Sequence, residues 1–195
     1  MKPLILASGS PRRAKILRDL GVDFEIVKTD APEVSLPHDP EGTVTRNAVA
    51  KLQACARSLA PGDEERCILA ADTIVWYDGR IYGKPRDLDE ARAFLRTLSG
   101  RTHAVFTGVA YGTADRVRTA CARADVTFRA LSDADIEDYI VRVNPIDRAG
   151  AYDIDTCGEI VVASYTGSYE NIMGLPVEPL REFLKDLSPS GEAAL

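Results

Sequence analysis

This chain has little of the usual apparatus of histidine or thiol catalysis. Only His38 and His103 occur, one in a proline-rich segment and one at an expected strand start. Nucleophilic catalysis through a paired histidine is therefore weakly supported. The four cysteines, Cys55, Cys67, Cys121 and Cys157, lie far apart with no C-x-x-C pair, which excludes the tight spacing of zinc sites. Each sits in or beside an apolar segment and reads as a buried free thiol. The longest apolar run, residues 67–77, is broken by Asp72 and is about half the length a membrane-spanning helix needs. Also absent are G-x-x-x-x-G-K-[ST], G-x-G-x-x-G after a strand, G-x-S-x-G and H-E-x-x-H.

Positive charge is in deficit: 24 Lys and Arg face 30 Asp and Glu, a net charge of −6. An acidic protein is a poor candidate for indiscriminate binding to nucleic acid or anionic membrane, so any affinity for phosphate must be local. The remaining composition, 45% hydrophobic and 28% charged over 195 residues, is that of an ordinary globular protein. One domain over residues 1–187 is expected, with a loose tail at 188–195. Too few apolar residues separate Lys2 from Ser8 for a signal-peptide core, and the cysteine usage suits a reducing compartment, so a cytoplasmic location is expected.

Strands and helices interleave. Residues 3–7 form a short apolar strand, followed by a helix with Ser10 as N-cap, Pro11 at its first position and Gly21 as its stop. Phe24 and Ile26 alternate as a strand, residues 29–40 with three prolines form a loop, and Val44, Ala48, Leu52, Cys55 and Leu59 give a helical stripe. Residues 67–77 read as a buried strand, and Asp78-Gly79 as a hairpin turn. Asp87 with Glu90, and Ser132 with Asp135, read as capping boxes for two helices. Residues 103–111, 117–128 and 160–164 are further strands, residues 144–155 a loop, and 177–187 a terminal amphipathic helix. The hairpin and adjacent strands demand antiparallel pairs, which gives an α/β class with a mixed parallel/antiparallel sheet flanked by helices.

The sharpest chemical feature is strand, Ser8-Gly9-Ser10-Pro11-Arg12-Arg13, helix. A helix N-terminus offers unpaired N–H groups and partial positive charge, Ser8 and Ser10 can donate, and two guanidiniums can fork onto phosphate oxygens. First-turn arginines are unfavourable for their own helix, so an anion should offset them; the alternative is solvated arginines with Asp or Glu partners. Removing either is expected to leave the melting temperature nearly unchanged. Asp72 sits inside an apolar strand, where an unpaired carboxylate is almost never buried. It is either neutralised by a metal or cation where the strand reaches a cleft, or satisfied by backbone N–H groups at a bulge. Glu33 is either a second hard oxygen ligand or surface decoration. Lys51, beside the apolar stripe, and Lys84, in the stiff Gly83-Lys84-Pro85 turn, either snorkel or join Arg12 and Arg13 around the carboxylates. The second arrangement is the inventory for metal-assisted attack on a polyphosphate.

Taken in order, Ser8-Gly9-Ser10-Pro11-Arg12-Arg13, Ala71-Asp72-Thr73, Gly83-Lys84-Pro85, Ser99-Gly100-Arg101-Thr102-His103, Ala149-Gly150-Ala151-Tyr152 and Gly174-Leu175-Pro176 resemble the Maf family of nucleoside triphosphate pyrophosphatases, over about residues 3–185. The resemblance implies two lobes around a deep cleft and a homodimer. It also implies house-cleaning hydrolysis of nucleoside triphosphates between the α- and β-phosphates with a divalent metal, Mg²⁺ or Mn²⁺. On matching positions, Asp72 resembles the catalytic proton acceptor and a metal-binding carboxylate. Ser8, Ser10, Arg12, Arg13, Lys51 and Lys84 resemble phosphate-binding residues, Glu33 an acidic residue near the metal, and Thr73 and Asp155 residues that read the base. The branch acting on dTTP and UTP carries Arg, Thr and Gln at three such positions; Arg12 and Thr73 match, while Asp155 replaces the Gln. The family's usual Gly-Ile-Gln-Gly is here Asp153-Ile154-Asp155-Thr156. Two other functions compete. A nucleotide-binding regulator of cell division without turnover is disfavoured by the intact Asp72. A nucleotidyltransferase is disfavoured by the missing glycines of its loop.

Overall fold

The computed structural model describes residues 2–185; the expected tail at 188–195 lies outside them. Seven strands form one sheet in the order β2-β1-β3-β5-β6-β7, with β4 also paired to β3. Strand β1 (Leu4–Leu6) lies parallel to both β2 (Phe24–Ile26) and β3 (Ile68–Tyr77). The remaining pairings, among β3, β4 (Arg80–Tyr82), β5 (Thr102–Gly112), β6 (Val117–Phe128) and β7 (Val162–Thr166), are antiparallel. The mixed sheet is therefore as the sequence implies. No described helix is long and apolar enough to cross a membrane.

The site follows from how β3 is paired. Its start pairs with β1 at Ile68 and Leu69, and its end pairs with β4 from Val75 to Tyr77. Both partners lie on the same edge, so residues 70–74 keep β5 on one side and face open space on the other. The Asp78-Gly79 turn makes this split possible: both residues have positive φ, 50° and 72°, as a two-residue hairpin of primed type requires. One sheet face carries two apolar clusters. The first joins β1 and α1 (Pro11–Asp19) to the α6 (Tyr169–Met173) and α7 (Val177–Lys185) segment. The second gathers α3 (Leu88–Leu98) and α4 (Asp133–Val143) around Phe128 and Tyr152. On the opposite face α2 (Pro40–Ser58) buries Ala48, Leu52 and Cys55 against Ile68 and Ala70; fully burying a leucine such as Leu52 contributes about 1.5–3 kcal/mol.

Several local expectations need correcting. Helix α2 starts at Pro40, earlier than the apolar stripe implies, because Asp39 caps it and proline fits its first position. Asp87 caps α3, but Glu90 reaches Arg86 rather than closing a box; the box at Ser132 and Asp135 is complete. The expected strand at 160–164 begins two residues later, after the short helix α5 (Gly158–Val161). Residues 144–155 contain two 3₁₀ turns, Pro145–Asp147 and Ala149–Ala151. All four cysteines are free, yet only Cys55 is buried.

His103 is structural. It packs edge-on against Phe128 and Tyr152, shares a 3.0 Å hydrogen bond with the Tyr152 hydroxyl, and burial lowers its pKa from 6.5 to about 4. The folded state thus holds the neutral ring while the unfolded chain takes up a proton below pH 6.5. This contribution is intact above pH 6.5, is lost as pH falls toward 4, and amounts to about 3 kcal/mol at most. Melting should therefore fall more steeply between pH 6.5 and 4 in the parent than in His103→Gln; equal slopes would contradict this role.

Candidate active site

A cleft of about 790 Å³ is floored by the open segment of β3. Side chains alternate along that strand, so Asp72 faces α2 while Thr73 faces the opposite side. Gly108 pairs with Asp72 across the sheet, and a Cβ there would stand 2.5 Å from the backbone carbon of Val44. Only glycine lets α2 lie this close. Residues Asn47 and Lys51, one turn apart on α2, thereby reach Asp72: Asn47 Nδ2 donates to Oδ2 at 2.9 Å and Lys51 Nζ donates to Oδ1 at 2.6 Å. Asp72 is 7% exposed. It is held by a cation and an amide, not by backbone N–H groups at a bulge.

The proline-rich loop is fastened over the same point. Asn47 accepts from Val34 N at 2.8 Å and donates to Val34 O at 3.0 Å, Thr43 accepts from Leu36 N, and Trp76 Nε1 donates to Pro37 O. This sets Glu33 2.7 Å from Lys51, which stands between the two carboxylates. Asn47 escaped the sequence reading, although its place four residues before Lys51, on the same helical face, was the available signal.

On the other side of β3, α1 begins with Ser10 capping Arg13 N, as its sequence implies. Arg13 is not a solvated arginine. Its guanidinium donates to Gly174 O at 2.8 Å, Ser8 Oγ at 3.0 Å and Thr73 Oγ1 at 3.0 Å, and Thr73 in turn meets Thr107 at 2.9 Å. Burial lowers its pKa to about 10, with Asp72 pulling the other way. Arg12 instead crosses the cleft to the segment after the second 3₁₀ turn, donating to Asp153 at 3.1 Å; Arg148 donates to the same oxygen at 2.8 Å. Burial lowers the Arg12 pKa and Asp153 opposes the shift. Lys84 pairs with Asp147 at the rim.

Ser8, Ser10, Arg12, Arg13, Glu33, Lys51, Asp72, Thr73 and Lys84 thus all line one cleft. Asp155 does not: it is exposed and accepts from the Tyr169 hydroxyl at 3.1 Å, while its neighbours Asp153 and Ile154 supply the wall. Asp153 is held inward by its bonds to Arg12 and Arg148 and by its backbone N–H donating to the Tyr139 hydroxyl.

No cluster of three or more His, Cys, Asp and Glu among the described residues could hold a metal by itself. Four carboxylates line the cleft, and Asp72 and Glu33, joined through Lys51, are the two hard oxygen donors that lie together. That set fits Mg²⁺ or Mn²⁺, which use one or two carboxylates and take their other ligands from substrate phosphates and water.

A carboxylate fixed beside a cluster of cations defines a site that holds a polyanion next to a proton acceptor. A family model described as Maf-like protein matches residues 3–187, and the chain belongs to this family. The dTTP/UTP pyrophosphatase of Bacillus cytotoxicus is 40% identical over 195 residues, covering 100% of both chains. That of Bacillus cereus is 41% identical over 189 residues, 96% of this chain and 91% of its own. The structure of the Staphylococcus aureus Ham1 protein is similar in fold, with a TM-score of 0.56 over 96% of this chain and 100% of that one, at 15% identity.

Proposed function

We propose that this protein hydrolyses nucleoside triphosphates between the α- and β-phosphates, giving a nucleoside monophosphate and pyrophosphate, with uracil and thymine nucleotides preferred. The observation that carries this reading is Asp72, held by Lys51 and Asn47 on the open edge of β3 at the floor of a cation-lined cleft. Each Asp72 oxygen accepts one donor and keeps a lone pair, so the carboxylate can take the proton of an attacking water while staying oriented. Arg12, Arg13, Lys51 and Lys84 neutralise charge gathering on the departing pyrophosphate. Asp72 and Glu33 would hold the divalent metal, which supplies charge neutralisation at the phosphate oxygens.

The base preference rests on the names of the relatives and on Arg12 and Thr73, which stand on the cleft wall. Asp155 would read the base only from the rim, and a carboxylate there accepts from a ring N–H but cannot donate to a carbonyl. A homodimer is the assembly this reading expects.

Incubation with UTP or dTTP and Mg²⁺, with pyrophosphate and orthophosphate assayed separately, tests the proposal. Pyrophosphate as the primary product, abolished by chelator, is expected; orthophosphate as the primary product, or full rate in chelator, would overturn it.

A further inference from the structure

The cations of the cleft differ in how they are compensated. Lys51 meets Asp72 and Glu33, Arg12 meets Asp153, Lys84 meets Asp147, and Arg13 donates to three neutral oxygens. Lys28 also lines the cleft, and among the described residues it has no hydrogen bond or ion pair.

Its position is set by the fold. Strand β2 runs parallel to β1, with Leu6 paired to Ile26, and Val27 N still donates to Leu6 O at 3.0 Å beyond the strand. The next residue therefore comes level with the Ser8-Gly9-Ser10 turn. A Cβ on Gly9 would stand 3.4 Å from Lys28 Cε and 3.6 Å from Cδ and Cγ. The lysine stem thus packs along the bare glycine, and the exposed side chain lies beside the start of α1. Helix dipole and ammonium act in the same direction there, on the same side of the cleft as Ser8 and Arg13. That turn is the part of the cleft read as phosphate-binding, and Lys28 stands beside it.

We infer that Lys28 is a further substrate-binding residue, one that holds the β- and γ-phosphates and then the pyrophosphate leaving group. The inference rests on the proposed pyrophosphatase reading for its choice of ligand. A Lys28 ammonium without a partner costs little to redirect, so its contact with phosphate needs no internal ion pair to be broken, unlike that of Arg12, Lys51 or Lys84.

Lys28→Met, which keeps the stem over Gly9 and removes the charge, tests this. The KM for UTP and the Kd for magnesium pyrophosphate measured by calorimetry should each rise about 5- to 10-fold, as expected of one charge-assisted contact. The inhibition constant for UMP should stay within about 2-fold of the parent's, and Lys28→Arg should restore pyrophosphate affinity. An unchanged pyrophosphate Kd, or an equal loss for UMP, would overturn the assignment. If the parent turned over no triphosphate, the catalytic reading would fail, while the pyrophosphate titration would still decide the role of Lys28.

Discussion

Asp72→Asn is expected to fold like the parent and to lose at least about 100-fold in kcat, the lower end of what a positioned general base contributes. The substitution is nearly isosteric, and its structural cost is contained by what surrounds it. Lys51 keeps Glu33 at 2.7 Å, so no ammonium is left without a carboxylate. Asn47 keeps both of its hydrogen bonds to Val34, so the proline-rich loop stays fastened. What the amide loses is chemical: it cannot take a proton from water, and its NH₂ group must face either the Lys51 or the Asn47 donor that the carboxylate accepts. A matched melting curve with kcat reduced at unchanged KM is the expected signature. Retained activity would move the base elsewhere, with Glu33 the next residue to test.

The two arginines that the sequence presents as a pair should separate under substitution. Arg13→Ala removes the donor for Ser8, Thr73 and the Gly174 carbonyl at once, and these join β1, β3 and the turn after α6. Ser8 keeps the Ser10 N–H and Thr73 keeps Thr107, so the cost is that of three lost bonds to a charged group, about 1 kcal/mol each. A total near 3 kcal/mol would lower the melting temperature by about 6–12 °C in a protein of this size. This replaces the expectation that neither arginine matters to stability, which considered only their place in α1. Arg12→Ala leaves Asp153 its partner Arg148 at 2.8 Å, so its stability cost should be near 1 kcal/mol. Its KM for triphosphate should nonetheless rise about 10-fold, as for a lost charge-assisted contact. Equal melting shifts for the two variants, or an unchanged KM in Arg12→Ala, would contradict this division of labour.

The elements set by local chemistry were legible in the sequence. Ser10-Pro11 opens α1, Asp78-Gly79 turns the hairpin, and Ser132 with Asp135 caps α4, because each uses groups within four residues of one another. What escaped depends on distant approach. Nothing local says that Gly108 sits across from Asp72 and admits α2, or that this approach places Asn47 on the carboxylate. The same holds for Asp153, whose partner Arg12 comes from α1 while Arg148 lies between the two 3₁₀ turns, and for Lys28, which is level with Gly9 only because β2 runs parallel to β1. The motif residues could be gathered into one group from their order along the chain. Asp155, placed in that group by the same order, lies outside the wall, which ends at Ile154, and meets Tyr169 instead.

The account turns on where water attacks, and hydrolysis of UTP in ¹⁸O-labelled water reads this directly. Water activated by Asp72 in line with a departing pyrophosphate must bond to the α-phosphorus. Mass spectrometry should therefore find one labelled oxygen in UMP and none in pyrophosphate. Label in pyrophosphate with unlabelled UMP would mean attack at the β-phosphorus, and would contradict the arrangement of base and leaving group assigned to this cleft.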